Sequence, residues 1–130
     1  MTTVVLDTHV VHWWSAEPQR LSPAANALLA TADEVALAAI SWFELAWLAH
    51  HGRIVLTVPI STWLGRIATQ VRTLGVTPSI ATAAVSLPAS FPGDPADRLI
   101  YATAVDHGYP LVTKDQRLRD HPQPLPVTVW

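Results

Sequence analysis

Short apolar runs that alternate with helical patterns constrain the fold of this 130-residue chain more than any other feature. Such alternation is typical of a mostly parallel sheet whose strands are joined by helices, so we expect the α/β class. Strands are predicted at about residues 3–6, 35–40, 110–113 and 127–130, with a short extended piece at 54–58. Helices are predicted at about residues 9–14, 22–30, 41–50, 62–73, 79–86, 94–107 and 115–120.

The composition is that of one globular domain covering residues 1–130. Charged residues make up 14% of the chain, below the roughly 25% of typical soluble domains, so we expect an apolar surface that an oligomer or partner covers. The chain has no cysteine, which excludes disulfides and thiolate chemistry and is compatible with the cytoplasm. We expect no signal peptide and no membrane span, since no apolar stretch reaches about 18 residues.

Acidic residues follow the predicted strands or begin the predicted helices. Functional sites of parallel sheets form outside the carboxyl ends of the strands, where the helices begin. The acids at such positions are Asp7, Glu44, Asp94, Asp97 and Asp115. Because the carboxyl ends of parallel strands meet at one edge of the sheet, we expect these side chains to converge.

Helix capping offers each of these acids a simpler role. Asp7 and Asp115 could cap the helices that follow them, and residues 41–44 match a capping box in which Glu44 bonds back to Ser41. Asp94 precedes a proline at the first helical position, so capping is its favoured role, and Asp97 suits the first turn. Taken together, however, several carboxylates within a few ångströms need a compensating cation.

Carboxylate oxygens favour Mg²⁺ or Mn²⁺, the ions that commonly assist phosphodiester hydrolysis. A nucleic-acid substrate fits poorly with the formal net charge of −2. If four of the ten acids bind a cation, however, six acidic side chains remain against eight basic ones, which weakens the objection.

Four segments of the chain resemble, in order, the sequence blocks of PIN domains, and the match spans nearly the whole chain. The segments are residues 5–9, 41–46, 94–104 and 111–115. Residues 20–23, the pair Gly52-Arg53 and the proline-rich tail at 122–130 are similar to VapC-like toxins. The resemblance implies a PIN-like α/β/α sandwich and an Mg²⁺- or Mn²⁺-dependent endoribonuclease that cleaves RNA. It also implies the toxin of a bacterial toxin–antitoxin system, a homodimer held inactive by its cognate antitoxin.

The resemblance also assigns roles. Asp7, Glu44 and Asp97 are expected to hold the metal, and Asp115 to complete the pocket directly or through water. Thr8 and Thr113 are candidates for orienting carboxylates or the water. Asp94 is either an acid that supports the metal ligands from behind or, as favoured, a helix cap. Arg98 is either a phosphate contact or a surface ion-pair partner, and the sequence leaves both open. Leu48 stands where relatives often have lysine, so substrate contacts near that helix are in question and Arg53 is the nearest basic group.

Two other functions remain as alternatives. One is a phosphatase-like α/β hydrolase with Asp7 as covalent nucleophile, although such enzymes prefer an Asp-x-Asp opening. The other is a catalytically inactive PIN-like binding module, against which the presence of all four acids argues.

Histidines and aromatic residues offer weaker signals. His9 and His12 have helical spacing, but the chain lacks the His-Glu-x-x-His pattern of a zinc hydrolase, so a polar surface is the favoured interpretation. Trp42, Phe43 and Trp47 are interpreted as core or interface packing rather than as a platform for base stacking.

Overall fold

The computed structural model describes residues 1–121 and 127–130. It contains a five-stranded sheet with helices on both faces. The strands are β1 (Thr3–Leu6), β2 (Glu34–Ala38), β3 (Arg72–Leu74), β4 (Leu111–Val112) and β5 (Thr128–Val129). The helices are α1 (Thr8–Ala16), α2 (Pro23–Thr31), α3 (Ala39–His50), α4 (Ile60–Ala68), α5 (Pro78–Ser86), α6 (Pro95–His107) and α7 (Gln116–Arg119), with a 3₁₀ turn at Pro18–Arg20.

The strands lie in the order β3-β2-β1-β4-β5, and every pairing between described strands is parallel. At the centre of the sheet, Val5 of β1 is in register with Ala36 on one side and Leu111 on the other. The parallel sheet predicted from the sequence is therefore confirmed. Its consequence is that the carboxyl ends of β1, β2 and β4 lie at one edge.

Alternating strand residues build two separate cores, one on each face of the sheet. Val4 and Leu6 pack into one core with side chains of α1, α2, α3 and α4. Val5 enters the other core, whose helical part includes Ile100 and Tyr101 of α6. Because successive side chains of a strand point to opposite faces, a continuous apolar strand needs both faces covered. The α/β/α sandwich follows from this pattern.

The structure corrects three predicted elements. The helix predicted at residues 62–73 ends at Ala68, and Arg72–Leu74 forms β3 along the exposed edge of β2. The strand predicted at 35–40 ends at Ala38, so α3 begins at Ala39. No strand occurs at 54–58, a segment that the structure does describe. A short strand such as β3 is stabilised by hydrogen bonds to its neighbour, which local sequence patterns do not reveal.

The edge strand predicted at 127–130 is confirmed as β5, which pairs with β4. Most of the proline-rich tail, residues 122–126, lies outside the described residues. Among residues 1–121 and 127–130, no helix combines the length and the apolar composition that crossing a lipid bilayer requires.

Candidate active site

A cleft at the carboxyl edge of the sheet collects all five acids singled out by the sequence. Its carboxylate-bearing lining residues are Asp7, Glu44, Asp94, Asp97 and Asp115. The remaining lining residues are Thr8, His9, Val10, Trp13, Lys114 and Arg117. The acids come from four places in the chain, namely the end of β1, the second turn of α3, the start of α6 and the turn after β4.

Asp7 is the most deeply buried of these acids. Its backbone N–H donates to the carbonyl of Val112 on β4 at 3.0 Å, which continues the sheet pairing past the end of β1. Its carboxylate accepts one hydrogen bond from the backbone N–H of Thr8 at 2.8 Å and another from the hydroxyl of Thr113 at 2.7 Å. Asp7 therefore caps α1 and lines the cleft at the same time.

Glu44 reaches the cleft from α3 and has no capping role. The predicted capping box is wrong, because the N-cap residue is Ala38 and no side chain caps this helix. Ser41 instead lies inside the helix and is fully buried, with its hydroxyl 3.1 Å from the hydroxyl of Thr8. The Thr8 hydroxyl also donates to Glu44 Oε1 at 2.6 Å. Because β2 ends two residues earlier than predicted, Glu44 lies in the second turn.

The two acids of α6 have different surroundings. Asp94 caps the helix, since its Oδ1 accepts a hydrogen bond from the backbone N–H of Ala96 at 2.9 Å. Asp97 lies one turn further on, and only 14% of its side chain is exposed. Both acids line the cleft. Asp94 therefore caps α6 and lines the cleft at the same time.

Arg117 is a cleft residue that the sequence analysis missed. Its Nη2 donates to Asp115 Oδ2 at 2.6 Å and to Asp97 Oδ2 at 3.2 Å, and its Nε donates to Asp115 Oδ1 at 3.1 Å. Asp115 also caps α7 by accepting from the backbone N–H of Arg117 at 2.9 Å. The sequence feature that could have indicated this role is a basic residue, Arg117, two positions after Asp115 at the start of a helix.

A single chain of hydrogen bonds joins the four predicted metal ligands. The hydroxyl of Thr113 accepts from the backbone N–H of Asp115 at 3.0 Å while it donates to Asp7. The chain runs through Glu44, Thr8, Asp7, Thr113, Asp115, Arg117 and Asp97 in that order. Four elements of the fold are thereby held in one constellation.

The electrostatics of the cleft show a shortage of positive charge. Burial raises the pKa of Asp7, although hydrogen bonds from Thr113 and Thr8 partly oppose it. Burial likewise raises the pKa of Glu44, against the hydrogen bond from Thr8. Burial, followed by repulsion from Asp94 and Asp7, raises the pKa of Asp97 to about 6. Only Asp115 shows the reverse, because its hydrogen bonds with Arg117 lower its pKa.

The donor set suits a hard divalent cation in its chemistry. All four predicted ligands are carboxylates that face one cleft, and three of them have pKa values raised by burial and like charges. In the part of the chain that the structure describes, however, no three histidine or acidic side chains are placed so that they could hold a metal ion together. Two of the four acids are instead engaged by Arg117.

Arg98 forms no ion pair among the residues that the structure describes, so the ion-pair role is wrong and the phosphate contact stays a prediction. Its guanidinium group donates to five backbone carbonyls at 3.0–3.3 Å. These carbonyls belong to Ala84, Leu87, Pro88, Phe91 and Pro92. Arg98 therefore fastens the loop between α5 and α6 and positions the start of α6, on which Asp97 lies.

The two histidines of α1 do not share a site. His9 lines the cleft, whereas His12 Nε2 lies 3.5 Å from Glu17 Oε2 and its ring meets the edge of Trp63. Burial lowers the pKa of His12, which favours the neutral ring. The zinc interpretation has no support in this arrangement.

The aromatic residues of α3 divide into two groups. Trp42 packs at the core and donates from Nε1 to the hydroxyl of Thr73 at 2.9 Å, as its packing interpretation predicted. Phe43 and Trp47 are 65% and 43% exposed, so they are not core residues. They line an apolar groove that adjoins the cleft at Glu44. Leu48 lines this groove at the position where VapC-like toxins, by the resemblance, often have lysine. Arg53 lies over the Trp47 ring at 5.9 Å.

Comparison with known proteins agrees with this geometry. A family model described as PIN domain matches residues 4–123. The chain belongs to the PIN-domain family. It is also 67% identical, over the full length of both chains, to Ribonuclease VapC22 of Mycobacterium tuberculosis (strain ATCC 25618 / H37Rv).

Solved structures share the fold at low identity. A toxin–antitoxin complex from Klebsiella pneumoniae has a TM-score of 0.72 at 20% identity, covering 98% of this chain and 96% of that one. VapBC2 from Rickettsia felis, bound to a DNA fragment from its promoter, has a TM-score of 0.66 at 15% identity, with coverage of 89% and 90%. At such identities the likeness establishes the PIN-like α/β/α fold alone.

Proposed function

We propose that this PIN-domain protein, as a single nuclease domain over residues 1–130, is a metal-dependent endoribonuclease and the toxin of a bacterial toxin–antitoxin pair. The observation that carries the proposal is the cleft, in which Asp7, Glu44, Asp97 and Asp115 meet from four separate elements. The ribonuclease name of a full-length relative at 67% identity supports the same activity. A cysteine-free chain acting on RNA suits the cytoplasm.

The four carboxylates would hold Mg²⁺ or Mn²⁺. When bound, such an ion would polarise a phosphoryl oxygen and activate the attacking water. The protein's own contribution is positional. Thr113 fixes one carboxylate oxygen of Asp7, and Thr8 fixes Glu44 through its hydroxyl. Arg98 holds the loop that leads into α6 and thereby places Asp97.

Hydrogen-bond donors at the rim of the cleft suit a phosphodiester substrate. Lys114 is exposed and lies 5.7 Å above the ring of Trp13, so its ammonium group is held at the mouth of the cleft. His9 is exposed beside it. These groups would bind the phosphates that flank the scissile bond, while the buried carboxylates act on the bond itself.

The environment of Asp7 argues against the phosphatase alternative. Both of its carboxylate oxygens accept hydrogen bonds, one from a backbone N–H and one from a buried hydroxyl. A nucleophilic carboxylate needs one oxygen free to approach phosphorus, whereas a ligand held in a fixed orientation benefits from such bonds.

The direct test is incubation of the purified protein with RNA. Cleavage is expected with Mn²⁺ or Mg²⁺ and not with EDTA, leaving 5′-phosphate and 3′-hydroxyl ends. Cleavage that is unaffected by EDTA, or ends that carry a 2′,3′-cyclic phosphate, would contradict the metal-dependent mechanism. A fully folded protein without activity on any RNA would favour the binding-module alternative.

The partners we propose are a cognate antitoxin and a second copy of this chain. An apolar helix of the antitoxin would fill the groove beside the cleft, and a basic side chain would meet the carboxylates. The apolar lining of that groove is Ile40, Phe43, Trp47, Leu48, Pro95 and Ala96. Light scattering should show a homodimer at micromolar concentration, and a clean monomer would remove that part of the proposal.

A further inference from the structure

We propose that Arg117 is a built-in counter-cation that competes with the metal ion for Asp97 and Asp115. The inference rests on the proposed metal-dependent function and names the residue that sets the affinity of its site. Among the residues that the structure describes, Arg117 is the only one whose guanidinium group contacts a carboxylate of the cleft.

The contacts are those of a strong charge-assisted pair. Nε and Nη2 of Arg117 meet the two carboxylate oxygens of Asp115 at 3.1 and 2.6 Å, a fork geometry that only arginine provides. The same Nη2 reaches Asp97 Oδ2 at 3.2 Å. One guanidinium group therefore bridges an acid after β4 and an acid on α6, which are separated by 18 residues in the chain.

Arg117 engages both carboxylate oxygens of Asp115 and one of Asp97. A cation held by Asp97 and Asp115 would compete with the guanidinium group for these carboxylates, because two positive charges at the same oxygens repel each other. Metal binding thus requires Arg117 to leave.

The structure allows that departure. The side chain of Arg117 is 63% exposed, so it can swing into solvent without unpacking the core. Arg98 offers a contrast, because its guanidinium group is anchored by five backbone carbonyls and cannot move without releasing the loop before α6. Arg117 is a removable counter-cation, and its competition should weaken metal binding.

The test is calorimetric titration of the metal-free protein with Mn²⁺, comparing wild type, R117Q and R119Q. Arg119 is a matched control, because it lies on the same helix, carries the same charge, and its side chain donates to Gln116 rather than to a cleft acid. R117Q should bind Mn²⁺ about tenfold more tightly than wild type, the scale of one charge-assisted hydrogen bond. R119Q should stay within about twofold, since an exposed charge at a distance is screened.

A third variant separates charge from geometry. R117K keeps the positive charge but loses the fork, so its Mn²⁺ affinity should fall between those of wild type and R117Q. Circular dichroism of each metal-free variant verifies that the fold is intact. Equal or weaker Mn²⁺ binding by R117Q, with a wild type that does bind, would overturn the proposal and leave the metal site standing. No Mn²⁺ binding by any variant would overturn the proposed metal dependence and the competition with it.

Discussion

The two ends of the sheet carry acids in opposite situations. At the amino end, Asp33 accepts a hydrogen bond from the backbone N–H of Thr2 at 2.6 Å, and Glu34 pairs with Arg72 at 3.3 Å. Each acid there has its own partner. At the carboxyl end five acids line one cleft, and Arg117 alone serves two of them. The same residue types therefore stabilise one end and leave charge uncompensated at the other.

This contrast distinguishes the acids of the cleft from those at the amino end better than their local sequence does. Asp7, Asp94 and Asp115 all cap helices, so capping does not distinguish them from ordinary helix-start residues. What distinguishes the cleft is that burial and like charge act on several acids together. A cluster of carboxyl groups with raised pKa values is typical of functional sites.

The largest effect should come from removing charge at the carboxyl end. We expect E44Q and D97N each to lower Mn²⁺-dependent RNA cleavage by about a hundredfold or more, because metal activation of substrate and water is lost. Both changes keep the size of the side chain. Initial rates on a fluorescent RNA at saturating Mn²⁺ provide the measurement.

The matched control lies at the amino end of the same sheet. D33N removes an exposed carboxylate whose one described hydrogen bond comes from the backbone N–H of Thr2. The D33N variant should therefore cleave RNA at a rate close to that of wild type. If D33N loses as much activity as E44Q and D97N, or if the latter two remain active, the two ends of the sheet are functionally equivalent and the cleft is not the active site.

A smaller effect should separate the threonines at the two ends. Thr113 is fully buried, donates to Asp7 and accepts from the N–H of Asp115, so T113V should lower the free energy of unfolding by about 2 kcal/mol. Thr3 makes one longer contact, 3.2 Å to Glu34, and T3V should cost below about 1 kcal/mol. Urea unfolding of the metal-free variants measures both. Equal losses would mean that the Thr113 network adds nothing specific to the carboxyl end.

The smallest effect concerns the cost of charging Asp97. Its pKa in the fold is about 6, above the ordinary value of 3.8, so the folded protein binds this proton more tightly than the unfolded chain does. The stability that Asp97 contributes to the metal-free protein should therefore be lost as pH rises from about 4 through 6. D97N lacks this titration and should exceed wild type by on the order of 1 kcal/mol at pH 7.5, after solvent screening, with no such gain near pH 4.

The comparison of D97N with wild type at each pH also removes other titrations from the result. His12 has a lowered pKa and destabilises the fold as pH falls, but it is present in both proteins. Thermal unfolding in EDTA at several pH values gives the difference directly. If the stability difference between D97N and wild type does not change with pH, the charge of Asp97 is already compensated in the fold. The raised pKa of Asp97 would then be wrong.

Much of the fold was predictable from local patterns. Apolar runs such as Thr3–Leu6 and caps such as Ser22 before Pro23 specify elements through interactions within a few residues. Strand β3 was not predictable in this way, because Arg72–Leu74 becomes a strand through hydrogen bonds to β2. The misplaced start of α3 had the same origin, since the end of β2 depends on its pairing with β1 and β3.

By itself, the sequence determined the alternation of strands and helices, the parallel sheet, and the acids that follow the strands or begin the helices. These features depend on side-chain periodicity and on backbone geometry, which act over short distances along the chain. Only the tertiary structure decided which charged groups meet. Arg98 binds backbone carbonyls, whereas Arg117 bridges Asp97 and Asp115. The reason is that the packing of α6 and α7 against the sheet sets the distances between side chains that are far apart in the sequence.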